Sequence, residues 1–171
     1  MARLPEMARN EDNKDAYDYL QKTRGAVRGG FAITLASPEI TQRMAHVGSY
    51  VRFDSPLPKE ITELAATVIS AELENPAEVA PHSKNCRDLK ITGSLLDAVL
   101  ARAPVSGGTE DEKLVVNLAR ELARTHKLTD ATFEAAKKRL GDKGVIDLIA
   151  AVGYYAMLAV VHTALDLKPR A

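Results

Sequence analysis

A chain of 171 residues has the size of one domain, and because Lys plus Arg (23) equals Asp plus Glu (23) it carries no net field to hold nucleic acid or an anionic membrane. With 46% apolar and 27% charged residues, the composition excludes disorder and predicts a packed core. The lone cysteine, Cys86, excludes an intrachain disulfide and a cysteine-rich metal site. No secretory apolar region follows Met1-Ala2-Arg3-Leu4-Pro5-Glu6, so the cytoplasm is the expected compartment.

Apolar positions three or four apart recur in nearly every segment and alternating strand patterns are scarce, which predicts an all-α fold. The first helix is expected over Asn13 to Arg24, and the Gly29-Gly30 pair breaks the path before Phe31 to Leu35. Ser37-Pro38-Glu39 starts a helix that runs to about Tyr50, with Ser37 as cap and proline where no donor is lost. Pro58-Lys59-Glu60 opens a long helix whose apolar face is Ile61, Leu64, Ala65, Val68 and Ile69, ending near Asn75-Pro76. There the next helix begins, capped by Asn75, and continues to about Lys90.

Gly93-Ser94 precedes a short helix through Leu100, and Ala103 to Gly108 is the most loop-like stretch. Thr109-Glu110-Asp111-Glu112 has the order of a capping box and predicts a helix through His126. Thr129 to Leu140 and a last helix from Asp142 complete the chain, which reads as a single domain. Its longest apolar stretch, Leu148 to Val161, is 14 residues, short of the roughly 18 that suggest a membrane span, so it reads as a buried core helix.

Chemistry-bearing residues concentrate in one helix. Glu78, His82 and Cys86 lie at i, i+4 and i+8, which places all three on one helical face. A carboxylate one turn from an imidazole orients its tautomer and raises its basicity, as general acid/base work requires. Cys86 reads either as a small buried hydrophobe or as a nucleophile beside histidine. His46, His126 and His162 sit on other helices without ligand-type neighbours and read as structural. Asp147 and His162 interrupt an apolar helix and need partners if buried. Tyr154 and Tyr155 can lend hydroxyls to a pocket or simply pack, and Arg24, Arg28, Arg43 and Arg52 are the candidate clamps for a substrate carboxylate.

Thr62-Glu63-Leu64-Ala65, followed by Glu78-Val79-Ala80-Pro81-His82 with Glu63 19 residues before His82, resembles the carboxymuconolactone decarboxylase superfamily. Val79 stands where relatives often carry tryptophan. The resemblance extends through Gly29-Gly30-Phe31, Tyr50-Val51-Arg52-Phe53, Leu118-Ala119-Arg120-Glu121-Leu122, Thr125-His126-Lys127-Leu128-Thr129-Asp130 and Gly144-Val145-Ile146-Asp147-Leu148. It implies an alkylhydroperoxidase D-like helical bundle that assembles as homotrimers or hexamers around a small-molecule site. Glu63, Glu78 and His82 are then the catalytic residues, with Cys86, His126 and Tyr154 as further pocket residues and no cofactor or metal.

Members of the superfamily that reduce peroxides use a Cys-x-x-Cys-x-x-x-His dithiol, and Asn75 and Glu78 occupy those two cysteine positions here. The decarboxylase branch carries Glu-x-x-x-His, as Glu78 to His82 does. Three readings follow: a cofactor-free lyase or decarboxylase acting on a small carboxylated or lactone substrate, a peroxidase using Cys86, and a non-catalytic oligomeric binding protein. The chain lacks the C-terminal ending of the shorter γ-carboxymuconolactone decarboxylases, which points to a different small acid or lactone as substrate.

Overall fold

The computed structural model describes residues 2–167, and all regular structure among them is helical. In chain order the elements are α1 (Lys14–Arg24), α2 (Gly30–Thr34), α3 (Pro38–Ser49), a π-helical turn (Tyr50–Asp54), α4 (Lys59–Glu72), α5 (Pro76–Asp88), α6 (Gly93–Leu100), α7 (Glu110–Thr125) and α8 (Asp130–Ala164).

The centre of the molecule is α4, which packs against α5, α7 and α8. Sequence periodicity gives this helix a single apolar face, but every residue from Ile61 to Ala71 is buried. Ala65, Ala66 and Ala71 let neighbouring helices approach, while Thr67 returns its hydroxyl to the Glu63 carbonyl at 2.9 Å. An α-helix enclosed on all sides must satisfy its polar side chains internally, and that constraint makes Glu63 informative. Large side chains such as Leu64, Leu95, Leu118 and Leu148 fill the surrounding core, each stabilising the fold by about 1.5–3 kcal/mol relative to exposure. A smaller cluster of Ala16, Leu20, Leu35 and Ala45 joins α1 to the loop after α2 and to α3.

Helix ends follow the sequence with instructive exceptions. Thr109 and Glu112 form the expected capping box at the start of α7. Ser37 and Asn75 precede proline-led helices as expected, yet neither caps with its side chain. The Asn75 amide turns instead toward His162 of α8, at 3.4 Å from Nδ1, because a buried ring nitrogen competes for the donor. The two helices expected on either side of Gly141 run together as α8, with a break at Gly141 where φ is 70°. That left-handed conformation suits glycine.

The expected end of α3 near Tyr50 is instead a π-helical turn, fastened to α8 by a buried carboxylate. Asp147 accepts from Tyr50 Oη (3.2 Å), Ser55 Oγ (3.1 Å) and Lys143 Nζ (2.8 Å), so the charge that interrupts the apolar helix has its partners. By length and composition α8 is apolar enough to cross a membrane, but more than half of its apolar window is buried within the protein. The core-helix reading describes that packing.

Candidate active site

The first two turns of α4 and the middle of α5 lie side by side, and their facing side chains bring an imidazole between two carboxylates. Glu63 Oε2 lies 2.6 Å from His82 Nδ1, and Glu78 Oε2 lies 3.2 Å from His82 Nε2. Asn85, one turn after His82, donates its amide to Glu63 Oε2 at 3.0 Å. The His82 and Glu63 side chains are 6% and 7% exposed, whereas Glu78 at 19% reaches toward solvent. Local sequence explains the placement. The four-residue spacing puts Glu78 and His82 on one face of α5, and Asn85 falls on that face as well.

Two carboxylates on opposite edges of one ring require both nitrogens to donate, and only the imidazolium does so. Burial is the largest single influence on His82 and opposes its charge, but hydrogen bonds and charge from Glu63 and Glu78 together raise its pKa above the ordinary 6.5. Burial likewise pushes both carboxyls up, and the bonds and charge of His82 overcome it, so Glu63 and Glu78 titrate below 4.5. The stable arrangement is anion, cation, anion. Arg52, exposed on the π-helical turn, adds a smaller favourable field to both acids.

A cleft of about 1270 Å³ opens beside this arrangement. Its walls include Arg3 and Glu6 from the N-terminal segment, Arg28 to Phe31 around the start of α2, Glu78 from α5 and His162 from α8. His82 does not line it. The group that meets a ligand there is Glu78, with the imidazolium behind it.

Similarity of fold is clear and similarity of sequence is low. No family model matches the chain, and no curated protein matches it. A peroxidase-related protein of Ralstonia eutropha, described as an alkylhydroperoxidase AhpD core, superposes with a TM-score of 0.77 at 16% identity over 99% of this chain and 92% of that one. The chain has the alkylhydroperoxidase D-like fold. A Silicibacter peroxidase-related protein gives a TM-score of 0.72 at 19% identity, covering 98% of this chain and 90% of that one. A debrominase, solved as a cysteine-to-alanine variant with 2,3,4-tribromopyrrole, gives 0.72 at 13% identity over 97% and 91%.

Within this alkylhydroperoxidase D-like frame the further expected pocket residues separate. Cys86 is fully buried, its sulfur is 3.3 Å from Thr67 Oγ1, and burial pushes the thiol up to about 11, so it is a core thiol and not a ready nucleophile. Tyr154 is buried one layer back; its ring meets Tyr155 edge-on at 5.1 Å, and Tyr155 meets His82 at 4.7 Å. His126 lies elsewhere. It is the left-handed residue that ends α7, exposed, and it lines a separate apolar groove with Ile69, Leu122 and Ile149. Its place at the C-terminal end of α7, beside Ile69 and Leu73 at the far end of α4, sets it apart from the acid/base cluster.

The candidate carboxylate clamps separate too. Arg28 lines the cleft, while Arg24 stacks on the Phe31 ring at 4.4 Å and bonds the Ala45 carbonyl. Arg43 bonds the Glu39 carbonyl on the surface. Among the described residues, no three His, Cys, Asp or Glu side chains form a group suited to hold a metal ion. Sequence reasoning missed Asn85 as a site residue, and it weighed His162 as a pocket residue but favoured a structural role, whereas His162 lines the cleft. The spacing of Asn85 from His82 was a usable signal, and so was the need of His162 for partners.

Proposed function

We propose that this chain is a cofactor-free lyase that removes a carboxyl group from a small cyclic carboxylate or lactone by Glu/His acid-base chemistry. One observation carries the reading: an imidazole held between two carboxylates, one of which lines a cleft large enough for a single-ring substrate. Arg28 on the cleft wall offers a bidentate partner for a substrate carboxylate or carbonyl. That a debrominase of the same fold holds a tribrominated pyrrole supports a substrate of single-ring size.

The steps balance as follows. The bond to the carboxylate breaks heterolytically, CO₂ leaves, and the electron pair remains on the substrate as an enolate-like anion. His82 passes its Nε2 proton to Glu78, and Glu78 delivers it to the carbon, while Glu63 holds Nδ1 and keeps the ring oriented. One proton from solvent then restores the imidazolium. With the His82 value raised and the Glu78 value depressed, the proton rests on His82, and its transfer to Glu78 is uphill until the developing carbanion draws it on.

The test is CO₂ release from a panel of small cyclic carboxylates and carboxylated lactones. Turnover that vanishes in His82→Ala and falls sharply in Glu63→Gln supports the reading; unchanged turnover in both variants overturns it. Buried, bonded and poorly acidic Cys86 gives the peroxidase reading little support, and peroxide consumption lost on Cys86→Ser would reverse that judgement.

We also propose that the protein works as a homo-oligomer. Ile146 and Val160 stand exposed on α8 in line with Gly153, an apolar stripe of the kind that self-association covers. Sedimentation of the wild type and of Val160→Glu tests it, with a lighter species expected for the variant.

A further inference from the structure

His162 lies on the far side of Glu78 from His82. Glu78 Oε2 faces His82 Nε2 at 3.2 Å, and its other oxygen, Oε1, faces His162 Nδ1 at 3.7 Å. The His162 side chain is 8% exposed and lines the cleft, with its Nε2 directed at Gly30. Gly30 is what makes room for it. A methyl group there would run into Nε2, so the ring fits only because that position lacks a side chain. Asn75 holds Nδ1 at 3.4 Å and steadies the ring from the α5 side.

We propose that His162 is the proton inlet of the site, the cleft end of a relay that runs from water through His162 and Glu78 to His82. This rests on the acid/base role proposed for Glu78 and His82 and adds the route by which they are recharged. After His82 has given up its proton, His162 leaves the Asn75 amide and takes, through cleft water, the tautomer with its proton on Nδ1, and a cleft water then protonates Nε2. The Nδ1 proton then passes to Glu78 Oε1, a gap that must close by rotation of the carboxylate. Glu78 passes a proton on to His82, and His162 is left neutral with its proton on Nε2, its Nδ1 again free to accept from the Asn75 amide. One solvent proton enters for each proton taken by substrate.

Ionisation preferences agree with the direction of flow. Burial lowers the His162 value below the ordinary 6.5, and the Glu78 charge only partly opposes it, so the resting ring is a neutral acceptor. His82 prefers the proton. Asn75 from the start of α5 and Gly30 of α2 adjoin His162, and the cleft it lines also includes, from the N-terminal segment, Arg3, whose guanidinium bonds the Ala164 carbonyl, and Glu6.

The relay is testable without a substrate. Solvent exchange of the His82 ring protons, followed by nitrogen-15 NMR on the full-length protein, should slow in His162→Gln by about 10²-fold, the low end of what a positioned proton carrier contributes. Added imidazole should restore the rate in His162→Ala, which a merely structural role would not allow. Gly30→Ala, which displaces the ring without removing it, should slow exchange as well. Equal exchange in wild type and His162→Gln, with His82 still an imidazolium, overturns the relay and leaves the acid/base reading standing. A neutral His82 in the wild type overturns both.

Discussion

The central helix carries two buried glutamates with nearly equal exposure and opposite uses. Glu63 and Glu72 both have side chains 7% exposed, one near the start of α4 and one at its end. Glu63 meets an imidazole. Glu72 meets two guanidinium groups, accepting from Arg120 Nε at 2.9 Å and from Arg124 at 2.8 Å. A guanidinium keeps its proton at any physiological pH, so the second cluster clamps α4 to α7 and transfers nothing. An imidazole between carboxylates holds a proton it can give away, and its cluster borders a cleft. Equal burial therefore says little about reactivity; the partner's titration and access to a ligand separate the two.

The sharpest way to break this comparison is to remove each partner in turn. His82→Ala should lower turnover by about 10²–10⁴-fold, the usual contribution of a positioned acid/base, in steady-state CO₂ release. Glu72→Gln should leave turnover intact while costing roughly 3–5 kcal/mol in chemical denaturation, because it strands a buried arginine. If Glu72→Gln also abolished turnover without unfolding the protein, the two clusters would not be separable in the way proposed.

Smaller effects should follow from pH. Because the His82 value is raised, its contribution to stability is complete below 6.5 and is lost as pH rises through the raised value. Glu63 and Glu78 are depressed, so theirs is complete above 4.5 and is lost as pH falls through the depressed values. His162 is depressed as well and contributes fully only above 6.5, its share being lost as pH falls through its lowered value. Denaturation midpoints measured across pH should therefore carry opposing histidine contributions near neutrality, and His162→Gln should remove its own share of the loss below 6.5 while leaving that of Glu63 and Glu78. A variant that left that side unchanged would contradict the assignment.

The smallest effect concerns Cys86. Replacing it by alanine should cost about 1 kcal/mol of stability, since a small buried group and its contact with Thr67 are lost. Turnover and its pH profile should not change.

Much of this was legible in the linear order of residues. Proline at the start of α3 and α5 and the Thr109 to Glu112 box located helix starts, because each acts within a few residues. The four-residue interval of Glu78 and His82 placed them on one face for the same reason. Less legible was the fate of residues whose options were non-local. Asn75 had the makings of a cap and went to His162 instead, 87 residues away. Tyr50 had the makings of a helix end and became part of a π-helical turn tied to Asp147, 97 residues away.

Helix starts and the Glu78 to His82 pair were thus determined by the sequence itself, since backbone periodicity and capping act over one or two turns. Tertiary packing decided the rest: that Glu63 closes on His82 across two helices, that Glu78 and not His82 borders the cleft, and that His162 joins from the end of α8. The physical reason is that a buried polar group takes whichever partner the packed core brings within reach, and that choice is made only when distant segments meet.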